Sequence, residues 1–192
     1  MTPTPAPAVE PEGAAGDDRA RAAYAAAASV LDPEVPVLTI ADLGVLRVVT
    51  LEGGRVGDRD GDQPTVTVTV TPTYSGCPAM EAIEADVETA VRAAGFDRVV
   101  VRRVLSPAWT TDWMTEDGRR KLVDYGIAPP SARTSGRTPA ATYGPVLVSL
   151  SVRCPQCGSP DTRELSGFGS TACKALWQCV ACREPFDHFK AI

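Results

Sequence analysis

Thr65-Val-Thr-Val-Thr-Val-Thr71 alternates β-branched residues without a break, and Pro72 closes it. A period of two sets Val66, Val68 and Val70 on one face and the threonines on the other, the pattern of a strand with one face against a core. After the loop Thr73-Tyr-Ser-Gly-Cys77, the residues Met80, Ile83, Val87 and Val91 recur at helical spacing. Pro78 suits the first turn of that helix, Glu81 and Glu84 suit its positive end, and Gly95 supplies the stop. Val99-Val-Val-Arg-Arg-Val-Leu105 then reads as a further strand. Upstream, Asp17 and Asp18 suit an N-cap for an alanine-rich helix from Arg19 to Leu31, which Asp32-Pro33 ends. Ala41-Asp-Leu-Gly44 resembles a short helical turn closed by glycine, and Val45 to Leu51 a strand. Residues 52–64 read as a loop. Helix, strand, strand, helix, strand predicts a compact α+β domain, a small sheet with helices packed on one face.

Beyond it the pattern changes. Thr111 to Tyr125 contains a short helix ended by Gly126, whereas Ala128 to Pro145 has four prolines and no periodicity. The chain therefore divides into a disordered tail over 1–16, the α+β domain over 17–127, a linker over 128–145 and a small β module over 146–192. The module is defined by Cys154-Pro-Gln-Cys157-Gly158 and Cys179-Val-Ala-Cys182, separated by 21 residues. A two-residue gap lets a tight turn aim both sulfurs at one point, and Gly158 can take the positive φ that ends such a turn. Two such clips offer four thiolates to one tetrahedral ion, the ligand set of a structural zinc ribbon or of a rubredoxin-type iron site.

With 192 residues, 44% hydrophobic and 22% charged, the composition is that of a soluble globular protein. The net charge of −5 argues against nucleic acid, whose phosphates demand clustered positive charge. The opening residues have neither the basic start nor the apolar run of a secretory signal, and no stretch is long and apolar enough for a membrane span. A cytoplasmic location is expected, with the six cysteines reduced.

Several residues have two readings. Cys77 sits at the mouth of a helix, where the dipole shifts a thiol toward a nucleophilic or metal-ligating thiolate, and equally suits a buried packing position. Asp32 and Glu34, beside Pro33 and Pro36, read as a solvated turn on sequence terms. Trp109, Asp112 and Trp113 suit a recognition surface, or core and docking positions. Cys173 is a packed thiol, a spare ligand or a second redox position. His188, the sole histidine, suggests surface or interface, and leaves a thiol enzyme at Cys77 without an evident base.

The segments Leu31-Asp-Pro-Glu-Val-Pro36, Ala41-Asp-Leu-Gly44, Val70-Thr-Pro-Thr-Tyr-Ser-Gly-Cys77-Pro78 and Leu105-Ser-Pro-Ala-Trp-Thr-Thr-Asp-Trp113-Met114 resemble the SufT-like iron–sulfur assembly domain, shared with eukaryotic cytosolic cluster-targeting proteins. Tyr125-Gly-Ile-Ala-Pro-Pro130, Phe168-Gly-Ser-Thr-Ala-Cys-Lys-Ala-Leu-Trp-Gln-Cys179 and Glu184-Pro-Phe-Asp-His-Phe-Lys-Ala-Ile192 are similar to the PaaD family, accessory proteins of the phenylacetyl-CoA epoxidase. The resemblance implies a maturation factor rather than an enzyme. It would serve iron–sulfur cluster assembly or insertion into the epoxidase, with the iron–sulfur reductase component as client. It implies Cys77 as a transient cluster or iron ligand, Asp32, Glu34 and Thr73 lining the site, and a homodimer that supplies two thiols. It leaves zinc or iron open for Cys154, Cys157, Cys179 and Cys182. A rubredoxin-like electron carrier is the alternative reading.

Overall fold

The computed structural model describes residues 18–52, 64–130 and 152–190. The expected tail, most of the 52–64 loop and nearly all of the linker lie outside the described residues. The chain forms two compact units, one up to Gly118 and one from Arg119.

In the first unit, β1 (Leu46–Glu52) pairs antiparallel with β2 (Thr65–Val70), which pairs in parallel with β3 (Arg98–Arg103). The parallel pairing requires a crossover, and α2 (Met80–Ala93) supplies it. Val66, Val68 and Val70 are fully buried, as the alternation predicts, while the N-terminal helix α1 (Asp18–Ala28) packs on β1 and α2 on β3. Ala23 and Ala27 of α1 and Ile83, Val87 and Val91 of α2 complete the core. Each large aliphatic side chain buried there contributes roughly 1.5–3 kcal/mol. The helices cover one face of the sheet, as expected.

Two boundaries differ from the sequence expectation. Helix α1 ends at Ala28 instead of running to Leu31, because Leu31 bridges Thr39 and the Ile40 N–H donates to the Val30 carbonyl. Pairing of the two short segments competes successfully with the last helical turn. Helix α2 opens at Met80, so Pro78 lies in the preceding turn. The Ala41–Gly44 turn is present, with Gly44 at φ +70°.

The chain changes unit within α3 (Glu116–Asp124), after a short 3-10 turn at Thr111–Trp113. This precedes the expected linker because Ala128 joins the C-terminal sheet. Its N–H donates to the Asp187 carbonyl at 2.8 Å, and its carbonyl accepts from Phe189 at 2.9 Å. The second unit is an antiparallel sheet in the order β4 (Thr162–Ser166), β5 (Lys174–Cys179), β6 (Pro185–Phe189). Its small core gathers Ala128, Val152, Cys154, Cys179 and Phe186. No helix among the described residues is long and apolar enough to cross a membrane.

Candidate metal centre and thiol site

The two clips converge. Cys154, Cys157, Cys179 and Cys182 place their sulfurs within 4.8 Å of one another, with Cys154 to Cys182 at 3.8 Å and Cys157 to Cys179 at 3.6 Å. A tetrahedron of sulfurs each 2.3 Å from zinc has edges of about 3.8 Å. The donor set and spacing therefore fit one tetrahedral thiophilic ion.

Local backbone geometry builds each clip. In the first, the Gly158 N–H returns to the Cys154 carbonyl at 2.9 Å and Gly158 adopts φ +73°; in the second, the Cys182 N–H points to the Cys179 sulfur at 3.5 Å. The position equivalent to Gly158 is Arg183, at φ +67° and the sole described non-glycine residue with positive φ. The second clip thus holds a left-handed conformation that costs a side-chain-bearing residue roughly 1–2 kcal/mol.

Without a cation the crowded sulfurs divide their protons unequally. The backbone N–H of Cys182 draws the Cys179 thiol down to about 7, with help from the neighbouring sulfurs. For Cys182 a hydrogen bond from the Glu184 backbone favours the thiolate, yet burial and the three other sulfurs push it up to about 12. A bound cation resolves that competition by taking all four as thiolates.

Cys173 stays outside this cluster. It is buried, with its sulfur 3.0 Å from the Thr171 hydroxyl, the arrangement of a packed thiol. His188, expected at the surface or an interface, is partly buried. Its ring packs edge-on to Trp177 at 5.6 Å, its Nε2 is buried without a hydrogen-bond partner among the described residues, and burial pulls its pKa down to about 4.

Cys77 lies in the first unit, in the loop that follows β2, and is half-buried. Its N–H donates to the Tyr74 carbonyl at 3.2 Å and its carbonyl accepts from Met80 at 3.4 Å, a pair of turns that holds the loop against the start of α2. Asp32 and Glu34 lie near enough for their carboxylates to act on its thiol. Asp32 is no solvated turn residue. It is buried, and its Oδ1 accepts from the backbone N–H groups of Glu34 and Val35 at 2.9 and 2.8 Å. Thr73, half-buried, lies four residues upstream in the same loop.

The expected shift of Cys77 toward thiolate is reversed. Burial raises its pKa most, a hydrogen bond from the Ala79 backbone opposes this, the carboxylates of Glu34 and Asp32 raise it further, and Arg103 lowers it. Helix α2 begins three residues later, too far for its dipole to dominate. Arg103 escaped the sequence reading. The parallel register sets it opposite Val70, at the sheet end where the Cys77 loop departs, and its Nε donates to Glu84 at 2.7 Å. An arginine at the carboxyl end of a strand paired with β2 was the available signal.

An assembly-type α+β domain carrying one acid-flanked thiol, joined to a four-cysteine ribbon, is the class that fold and site define. Comparison with known proteins agrees. A family model described as "Iron-sulfur cluster assembly protein" matches residues 21–101, and one described as "PaaD zinc beta ribbon domain" matches residues 139–190. The chain is 47% identical over 171 residues, 88% of its own length and 91% of the relative's, to an Escherichia coli K12 protein named provisionally as one of the components of 1,2-phenylacetyl-CoA epoxidase. It is 34% identical over 95 residues, 49% of its length and 81% of the relative's, to a Porphyromonas gingivalis W83 protein named as an Fe-S protein maturation auxiliary factor. A Bacillus anthracis crystal structure, titled as a domain of unknown function DUF59, has 25% identity, covers 54% of this chain and 91% of its own, and has a TM-score of 0.45. The chain belongs to the PaaD family.

Proposed function

We propose that this protein is a maturation factor that delivers iron–sulfur cargo to the phenylacetyl-CoA epoxidase, with the iron–sulfur reductase component as its client. The reading is supported by the solitary state of Cys77, the single cysteine among residues 1–118. Iron–sulfur clusters normally take four protein ligands, so one sulfur per chain holds a cluster only with a second chain or outside ligands. Such a site binds loosely, which suits transfer. Its raised pKa adds to this, since the proton competes with the arriving iron at neutral pH.

In this scheme Cys77 supplies the thiolate that the cargo takes, with its proton passing to solvent or to a neighbouring carboxylate. Glu34 and Asp32 present negative charge to a cationic iron centre, and Thr73 lines the approach. The ribbon is the permanent part. Cys154, Cys157, Cys179 and Cys182 hold zinc, which has no accessible redox couple and therefore anchors the module without passing electrons.

The test is to co-express the reductase with wild-type protein or with Cys77→Ala and to measure its iron and acid-labile sulfide. The variant should keep its fold and its ribbon metal while the client loses most of its cluster. Unchanged client iron and sulfide would remove Cys77 from the scheme. Metal analysis and a visible spectrum of the purified protein separate delivery from the electron-carrier alternative, which requires coloured iron at the four sulfurs.

A further inference from the structure

Arg47 is buried and, among the described residues, has no counter-ion. It is the extra residue of a bulge in β1, where Leu46 pairs with Val70 and Val48 already pairs with Thr69. A bulge re-aims its side chain, and here the guanidinium lies 3.4 Å from the centre of the Trp113 ring. Only 8% of Arg47 is exposed, and among the described residues its five N–H groups make one long hydrogen bond, to the Gly44 carbonyl at 3.4 Å. Burial alone lowers its pKa, with no carboxylate acting on it.

The groove that Arg47 lines contains a second unsatisfied group. Thr71 is 1% exposed and its Oγ1 has no hydrogen-bond partner among the described residues. Both residues line one groove of about 680 Å³, which Thr69, Thr110 and Ser106 share with Val48, Val104, Pro107 and Ala108. A buried cation without an anion and a buried hydroxyl without a partner each cost free energy. Together they give this groove the polar groups to recognise an anionic ligand.

The wall is built rigidly. Gly44 sits at φ +70° directly beneath Trp113, where a Cβ would meet the Trp113 carbonyl at 2.5 Å, and the Trp109 indole donates to the Leu43 carbonyl at 2.9 Å. These contacts hold the aromatic plate on which Arg47 rests, so the guanidinium presents its fork in a fixed plane.

We propose that this groove binds a carboxylate carried on an apolar body, with Arg47 taking the carboxylate, Thr71 donating to it, and Val48, Val104 and Pro107 covering the apolar part. A planar guanidinium matches a carboxylate with two parallel hydrogen bonds. A single cation neutralises a monoanion, whereas a phosphate or sulfate dianion would leave one charge over among aliphatic side chains. The carboxylate belongs either to a small organic acid or to a peptide chain end. The site stands independently of the role of Cys77.

The experiment titrates the full-length protein with hexanoate, hexanamide, sulfate, acetyl-leucyl-leucine and the amide of that dipeptide, following the Trp113 indole and Arg47 Nε–H resonances by NMR. One or both acids should shift these signals, and both amides and sulfate should not. Tighter binding of hexanoate marks a small acid as the source, and tighter binding of the dipeptide acid a chain end. Arg47→Gln should abolish the response, and Thr71→Val, which keeps the cation and the groove shape, should weaken it about tenfold. Silence with both acids, equal shifts from the amides or from sulfate, or wild-type affinity in Thr71→Val would each overturn the assignment.

Discussion

Cys77 and the four ribbon cysteines carry the same side chain in opposite settings. In the ribbon, each sulfur has three others within 4.8 Å, supplied by two tight turns and a shared core, so the ligand set is complete within one short stretch of chain. At Cys77 the groups acting on the thiol are Glu34, Asp32 and Arg103 rather than sulfur, and burial, the largest influence, raises its pKa. The comparison teaches that ligand count, more than the thiol itself, decides whether a site offers one ion a complete ligand set. Four converging sulfurs repay their own crowding when the ion binds. A single sulfur offers an ion only one of the four ligands such a site needs.

The largest expected effect probes the resident site. Chelation, or Cys154→Ser, should unfold the ribbon, since structural zinc contributes on the order of 10 kcal/mol to folding at neutral pH. Loss of the β-sheet circular dichroism and of structured Trp177 fluorescence would report it, while the first unit should keep its signal. A ribbon that stays folded without metal would erase the contrast.

The second effect is pH dependence in the same unit. His188 is neutral when folded and resists protonation until about 4, whereas the unfolded chain takes a proton near 6.5. Between those values the unfolded state binds more protons, so stability falls as pH drops through the window and levels off below it. The loss should reach about 2 kcal/mol, after discounting for a ring that keeps contact with water. Denaturant titrations of wild type and His188→Leu from pH 7 to pH 4 should diverge across this range and nowhere above it.

A smaller change sharpens the comparison between the clips themselves. Arg183→Gly should stabilise the ribbon by about 1 kcal/mol, because glycine adopts the left-handed conformation without a Cβ penalty. A rise in melting temperature at fixed metal load would show it. The smallest stability effect belongs to Cys77→Ala, which should change the melting of the first unit by less than about 1 kcal/mol and leave the ribbon's metal content untouched. A large loss of fold would recast Cys77 as a packing residue.

Much of this was legible in one dimension, and unevenly. Alternation over Thr65–Val70 and the helical spacing from Met80 to Val91 appear in the structure at almost the same positions, because both patterns express a single buried face. The two clips were equally clear, since their geometry is local. Helix α1 was read three residues too long, because pairing of Leu31 with Thr39 is a contact across a turn that propensity does not register. The partial burial of His188 was hidden from the sequence for a similar reason. Nothing in Asp187-His-Phe189 reveals that Trp177 lies across the sheet from it.

The order of elements, the four-sulfur ligand set and the separateness of Cys77 followed from the amino-acid sequence, because each depends on periodicity or spacing over a few residues. The charge state of Cys77, the burial of Asp32 and the pairing of Arg47 with Trp113 were decided only by the tertiary fold. Electrostatic and desolvation energies depend on distances through space, and residues 32, 77 and 103, or 47, 71 and 113, become neighbours only when sheet, bulge and loops close around them.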